Sequence, residues 1–378
     1  MSDVFQVEGN ELALLQNGAA YFPQLCADID AAHHFVYLET YIFAADQTGR
    51  AVSDALQRAA RRGVIVRVLM DGFGAADFLP VWLDEFKSAG VQVHFFRREL
   101  YRFKLRRHRL RRMHRKLIAI DGELAYIGGI NIIDDGVVPR FDFAVRLSGA
   151  VAVEIHAVMR RMWNAVAWAS GKRMARDISP GHAVGTRVVV VLRDNLRHRR
   201  DIERAYLKQI STAMREVVIA NAYFLPGRIF RRTLIQAARR GVRVVLLLQG
   251  RAENRLLHYA TRALYVQLLA AGIEIYEYQP GFLHAKVAVV DGTWATVGSS
   301  NIDPFSLMLA REANLMVFDA AFSDCLRDKL MTAIACNAVR IEADHENVRG
   351  WGSHILARLS YATVRMVIGV LGYGRSVI

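Results

Sequence analysis

"MHRKLIAIDG" (residues 113–122) and "LHAKVAVVDG" (residues 283–292) place a His, a Lys and an Asp at one spacing inside two apolar runs that lie 170 positions apart. A buried strand has no packing reason to carry all three polar groups, and a chain that does so twice is building one site from two halves. Extended backbone has a side-chain period of two, so His114 and Lys116 project from one face, as do His284 and Lys286. The match continues downstream. Asp121 and Asp291 lie seven residues after their histidines, Asn131 and Asn301 seventeen, Asp142 and Glu312 twenty-eight.

The surroundings repeat as well. "FVYLETYIF" (35–43), "LQRAARRG" (56–63), "VIVRVLMDG" (64–72), "VWLDEFKSAG" (81–90) and "VQVHFF" (91–96) are answered by "VVIANAYFL" (217–225), "LIQAARRG" (234–241), "VRVVLLLQG" (242–250), "LYVQLLAAG" (264–272) and "IEIYEY" (273–278). Glycine just past each amphipathic segment is the left-handed cap that ends a helix. Val/Ile/Leu strands alternating with helices predict an α/β fold, two similar halves each built on a mixed sheet flanked by helices, with the site between them. The expected divisions are a first half over 1–170, a Gly/Pro/Ser-rich linker over 171–186, a second half over 187–345 and a C-terminal tail over 346–378.

With 378 residues, 53% hydrophobic and 23% charged, the composition is that of a folded chain with a large core, not of a disordered one. Three scattered cysteines (Cys26, Cys325, Cys336) form neither a disulfide framework nor a zinc site. No signal peptide is expected from the first residues, and no run of about 20 uninterrupted apolar residues suggests a spanning helix. Net charge is +14 with a pI near 10.0, which points to a polyanionic partner, nucleic acid or an anionic membrane face. Only seven of the 50 basic residues are lysine, yet two of those seven stand in the paired motifs. These positions favour a compact ammonium over a guanidinium fork.

Two His, two Lys and two Asn suit a phosphoryl group. Lys116 and Lys286 supply point charge, and Asn131 and Asn301 amide N–H, for an anion whose charge shifts during displacement. One imidazole can attack phosphorus while the other protonates the leaving oxygen and then deprotonates the incoming alcohol. Asp142 and Glu312 are expected to hold the far ring nitrogen, each for the histidine of its own half. Asp121 and Asp291 belong to the motif and to the candidate catalytic set, although an Asp-Gly pair after a strand also reads as a turn. His33, His34, His94, His156, His182 and His258 have no such partners and read as ordinary core or surface residues.

Both stretches resemble the H-x-K-x4-D signature of the phospholipase D superfamily, with "GGIN" (128–131) and "GSSN" (298–301) similar to its G-[GS]-x-N continuation. The resemblance spans roughly residues 10 to 340. "ETYIF" (39–43) and "NIDPFSLMLAREANL" (301–315) look most like bacterial cardiolipin synthases of the short type without an N-terminal membrane anchor. The resemblance implies a phosphohistidine intermediate, no metal or other cofactor, and phosphatidyl transfer between two phosphatidylglycerol molecules to give cardiolipin and glycerol. It also implies a peripheral enzyme on the bacterial inner membrane, at its cytoplasmic side, with phosphatidylglycerol and the membrane surface as partners and no nucleic acid. Phosphatidylserine synthase, phospholipase D, a nuclease of the same superfamily, or a non-catalytic membrane or nucleic-acid binder are the alternatives.

Two further segments bear on the choice. Residues 97–116 hold eleven Lys and Arg and read as a cationic mouth of the site. Residues 351–378 are apolar with Arg358 and Arg365 seven apart, an arrangement that suits an amphipathic helix lying in a membrane interface better than one crossing it.

Overall fold

In the computed structural model, the described residues are 3–76, 78, 80–97, 111–136, 138–169, 171, 186–251, 255–342 and 351–368, without the side chains of 351–355, 367 and 368. The linker at 172–185 and the basic residues 98–110 lie outside them. The first half runs β1 (Val4–Val7), β2 (Asn10–Gln16), α1 (Asn17–Asp30), β3 (Phe35–Thr40), α2 (Gln47–Arg61), β4 (Ile65–Asp71), α3 (Pro80–Ala89), β5 (Gln92–Phe96), β6 (Leu117–Ile120), β7 (Leu124–Gly128), β8 (Arg140–Phe141), β9 (Phe143–Ser148) and α4 (Ala150–Ala169). The second runs β10 (Val188–Arg193), α5 (Asp201–Thr212), β11 (Glu216–Asn221), α6 (Arg228–Arg239), β12 (Arg243–Gln249), α7 (Arg255–Arg262), α8 (Tyr265–Leu269), β13 (Glu274–Tyr278), β14 (Phe282–Leu283), β15 (Lys286–Val290), β16 (Trp294–Gly298), α9 (Pro304–Met308), β17 (Glu312–Val317), α10 (Ala320–Asn337) and β18 (Ala338–Arg340). A C-terminal helix covers Trp351–Ile368.

The strands form two eight-stranded sheets, ordered β1-β2-β9-β7-β6-β3-β4-β5 and β10-β17-β16-β15-β11-β12-β13-β18. Leaving out β1 and β18, the orders correspond strand for strand. In each half the first crossover strands are parallel and the motif strand is antiparallel to its neighbours. Strands β6 and β15 are buried on both faces, which explains their continuous apolar sequence. Their residues alternate between cores. Leu117, Ala119, Val287 and Val289 enter one cluster shared by both halves together with α4 and α10. Ile118 and Ile120 face a separate core under α1–α3, and Ala288 and Val290 face another under α5–α8. The two sheets therefore share a central core and each has its own outer helical layer.

Asp121 and Asp291 sit at the far ends of β6 and β15, and the structure corrects their assignment to the catalytic set. Seven residues of extended chain at about 3.3 Å each put them roughly 20 Å from their histidines. Both adopt the left-handed backbone of a tight turn, at φ 52° and 53°. Asp121 accepts the backbone N–H groups of His33, His34 and Phe35 at 2.8, 2.8 and 2.7 Å. Asp291 does the same for Met214, Arg215 and Glu216 at 2.8, 2.8 and 2.9 Å. Each carboxylate fastens the start of a crossover strand to the hairpin that follows the motif strand.

Asp121→Ala is therefore expected to lower folding stability by about 1–3 kcal/mol through loss of charged acceptors, read by chemical denaturation, while turnover of the folded fraction stays near wild type. A collapse in kcat at unchanged stability would return Asp121 to the chemistry.

Candidate active site

Two short stitches between the halves create the site. His114 donates its N–H to the Arg311 carbonyl at 2.9 Å, and Arg311 donates to the Arg112 carbonyl at 2.7 Å. On the other side β14 pairs in parallel with β8, and His284 donates its N–H to the Phe141 carbonyl at 2.9 Å. Each motif histidine thus lies beside the strand that leads into the other half's carboxylate. Side chains alternate along a strand, so the residue after Arg311 or Phe141 turns toward the facing imidazole.

The consequence is crossed pairing. His114 Nδ1 lies 3.1 Å from both carboxylate oxygens of Glu312, and His284 Nδ1 lies 2.5 Å from Asp142 Oδ2. This corrects the expectation that each carboxylate serves its own half's histidine. The spacing of 28 residues is real, but the inter-half stitches decide which ring each carboxylate meets. Both carboxylates are buried and held in place. The Ser299 hydroxyl donates to Glu312 Oε2 at 2.6 Å, and the Phe143 N–H donates to Asp142 Oδ1 at 2.8 Å. The Asp/Glu difference is compensated one residue beyond the sheet. Gly129 leaves room that a Cβ would fill within 2.3 Å of Asp142 Oδ1, whereas the second half has Ser299 there as a hydrogen-bond partner.

A ring that donates Nδ1–H to a carboxylate leaves Nε2 for the cleft. The two imidazole side chains are 17% and 18% exposed, enough for a reactant to reach them. Burial holds both below the usual histidine range against the opposing pull of Glu312 and Asp142. In the empty cleft at neutral pH the rings are neutral and Nε2 carries a lone pair. Lys116 and Lys286 are buried, and each donates to the carbonyl of its own motif histidine, Lys116 at 2.7 Å. Burial, with repulsion from Lys286, draws Lys116 down to about 7 despite Glu312. An anionic phosphoryl group beside Lys116 would favour its charged form. Asn131 accepts the Ile42 N–H at 3.2 Å through its side-chain oxygen, which keeps its amide nitrogen as a donor. Asn301 is buried at the equivalent place.

Several site residues escaped the sequence reading. The Tyr41 ring stands 4.9 Å from the His114 ring, and Lys116 Nζ lies 5.4 Å from the same ring. Asp71, at the end of β4, is fully buried and accepts the N–H of Met113 at 2.8 Å. Gln249, at the end of β12, accepts the N–H of Leu283 at 3.2 Å. Each fixes the residue just before a motif histidine. The signal was present: "MDG" and "LQG" end matched apolar strands with a polar residue before glycine. Of the other histidines, His94 is stacked on Trp163 and His156 on Phe35. Among the described residues no cluster of His, Cys, Asp and Glu could hold a metal ion.

The chain matches the family described as "Cardiolipin synthase, PLD-like domain" over residues 25–163 and 206–332, one segment in each half. It is 38% identical to Cardiolipin synthase B of Escherichia coli (strain K12) over 381 aligned positions, covering 97% of this chain and 90% of that one. It is 33% identical to the Major cardiolipin synthase ClsA of Bacillus subtilis (strain 168), covering 82% of this chain and 66% of that one. Among solved structures, phosphatidylserine synthase of Haemophilus influenzae Rd KW20 superposes with a TM-score of 0.71 at 12% identity, covering 100% of this chain and 97% of that one. At that identity the likeness concerns the fold alone.

Gln249 shows that an amide oxygen is enough to hold the N–H before a motif histidine, while Asp71 uses its second oxygen for the N–H groups of Phe73 and Gly74. Asp71→Asn is expected to keep kcat close to wild type, whereas Asp71→Leu frees the Met113 N–H and lets His114 drift. A displacement of about 1 Å can cost on the order of a hundredfold, so Asp71→Leu is expected to lose tenfold to a hundredfold in kcat with little change in KM. Equal losses in both variants would show that the charge, not the hydrogen bond, matters.

Proposed function

Because the chain belongs to the phospholipase D-like cardiolipin synthase family, we propose that it joins two phosphatidylglycerol molecules into cardiolipin and releases glycerol. The observation that carries the proposal is the pair of imidazoles, each oriented by a buried carboxylate of the opposite half and flanked by a buried lysine. In the first step Nε2 of one histidine, taken as His114, bonds to phosphorus as the P–O bond to the glycerol headgroup breaks. His284, protonated once the anionic donor is bound, delivers its Nε2 proton to the departing oxygen. In the second step the hydroxyl of another phosphatidylglycerol bonds to phosphorus, the P–N bond breaks, and the hydroxyl proton returns to His284. Lys116 and Lys286 hold the negative oxygens throughout, and the amides of Asn131 and Asn301 share that load.

Purified protein incubated with phosphatidylglycerol in mixed micelles is expected to form cardiolipin and glycerol in equal amounts. His114→Ala and His284→Ala are each expected to abolish turnover, with the double variant no worse, because parts of one covalent cycle are not additive. Labelled phosphate trapped on His284 would exchange the two roles, and substantial turnover in either single variant would remove the one-site scheme.

The same reading assigns the C-terminal helix to the membrane surface. Ala357, Ser360 and Val364 bury one stripe of it against the second half, and Tyr361 lies under Arg231, with 5.8 Å between guanidinium carbon and ring centre. An adjoining stripe of Leu356, Leu359 and Met366 is exposed. The Trp351 side chain lies outside the described residues. No helix among the described residues is long and apolar enough to cross a membrane. The exposed stripe is placed in the headgroup region, with Arg358 beside anionic lipid. Leu359→Glu with Met366→Glu keeps the packed stripe and is expected to weaken flotation with phosphatidylglycerol vesicles, while activity on a short-chain, micellar substrate persists. Unchanged flotation would rule the stripe out as the anchor.

A further inference from the structure

The two halves share the His, Lys, Asp and Asn of their motifs but differ in individual side chains packed beside them. The parallel bridges Phe43–Ile132 and Phe224–Ile302 fix the correspondence of the segments that leave β3 and β11. Two residues back from these phenylalanines, the first half has Tyr41 and the second Ala222. Tyr41 fills the first-half side of the cleft over His114 and Lys116. Its ring is pressed by the β4–α3 loop so closely that a Cβ on Gly74 would come within 2.9 Å of it. Ala222, whose N–H donates to the carbonyl of Ala285, the residue after His284, at 3.0 Å, has no ring to fill the matching place.

That space is a narrow hollow lined by Ala222, Tyr223, Gln249, Arg251, His258 and Thr261. Phe224, Leu248, Leu257 and Tyr265 form its apolar wall, and the side chains of Gln249, Arg251, His258 and Thr261 bring polar groups to it where the first half has only the Tyr41 ring. Gln249 is 9% exposed; its oxygen is taken by the Leu283 N–H, and its Nε2 has no partner among the described residues. A buried amide donor left without an acceptor is costly unless a ligand supplies one. Thr261 donates its hydroxyl to the Leu257 carbonyl at 2.9 Å and so keeps its oxygen as an acceptor.

We propose that the hollow beside Ala222 is the alcohol subsite, taking the hydroxymethyl end of a glycerol headgroup as it leaves the donor or enters as acceptor. This rests on the phosphatidyl-transfer reading and adds to it where the alcohol binds. In-line displacement at phosphorus needs the leaving and entering oxygens opposite the attacking nitrogen. With His114 as nucleophile the alcohol belongs on the His284 side, which is the open one. The closed side needs to admit nothing but the imidazole. A polyol has hydroxyls for both the amide donor and the threonine oxygen, whereas water reaching phosphorus leaves the hollow unmatched, which favours transfer over hydrolysis.

The test uses the full chain with phosphatidylglycerol in mixed micelles and follows three products: phosphatidylglycerol labelled by exchange with free labelled glycerol, cardiolipin, and phosphatidic acid from hydrolysis. Ala222→Leu, with Ala222→Val as the milder step, is expected to lower the ratio of alcohol transfer to hydrolysis by about tenfold to a hundredfold, since even one methylene in a fitted pocket can shift discrimination by that order and these changes add three and two carbons. It should also raise KM for free glycerol. Phosphatidic acid formed in the same tube reports that the variant is folded. A fall in exchange alone assigns the hollow to released glycerol; a fall in cardiolipin as well assigns it to the acceptor headgroup too. Tyr41→Ala is expected to lower all products together at a constant ratio. An unchanged ratio in both Ala222 variants, a proportional loss of all products, or a ratio that moves only in Tyr41→Ala would overturn the subsite and leave cardiolipin formation by the wild type standing. A wild type inert in every reaction would remove the parent reading along with it.

Discussion

The hydrogen bond between each imidazole and the opposite half's carboxylate is the constraint on which the rest depends. It can form only if the two sheets keep their relative position to within a few tenths of an ångström, and the fold secures that position with a common core. Leu117, Val145, Val287 and Val317 pack in one cluster with α4 and α10 between and around the sheets. A close-packed interior of this kind deforms little. The short β8–β14 pairing and the Met113–Arg311 bridge then transfer that rigidity to the reactive rings. Catalytic precision here is a property of the interface, not of either half.

Burying so much charge has a thermodynamic cost that the site turns to use. Lys116, Lys286, Asp142 and Glu312 all sit within the interior, the lysines donating to backbone carbonyls and the carboxylates accepting from a backbone N–H or a hydroxyl. Desolvation alone pushes the imidazoles and Lys116 toward their neutral forms. The empty cleft is therefore short of positive charge relative to what a phosphodiester requires. Arrival of the anion supplies the missing counter-charge, so binding and protonation are coupled. Under the proposed reaction, a neutral ring that attacks phosphorus and one that acts as an acid after the substrate has bound can begin from the same resting state.

Much of this was legible in the chain. Period-two polar positions inside apolar strands gave the paired motifs, and helix-ending glycines gave the order of elements in both halves. Matched spacing found His114, Lys116, Asn131, Asp142 and their counterparts. What local spacing cannot show is which half a residue serves: the 28-residue interval placed Asp142 and Glu312 correctly in the site but to the wrong ring. Nor does it show distance along a strand as a separation in space, which is why Asp121 and Asp291 entered the candidate set although they work at the other end of the sheet. Asp71 and Gln249 were missed for a different reason. They differ in residue type, and only the shared task of accepting one backbone N–H makes them equivalent.

The Gly129–Asp142 and Ser299–Glu312 combinations constrain how the chain can change. A short carboxylate beside a glycine and a long one beside a serine are two self-consistent solutions to one spatial problem, and neither tolerates half of the other. Serine at 129 would collide with Asp142, and glycine at 299 would leave the Glu312 carboxylate without its hydroxyl donor. A single substitution therefore cannot convert either half's arrangement into the other's; only a paired exchange can. The two ends of the molecule are held unequal by packing at the very positions where their motifs look symmetric.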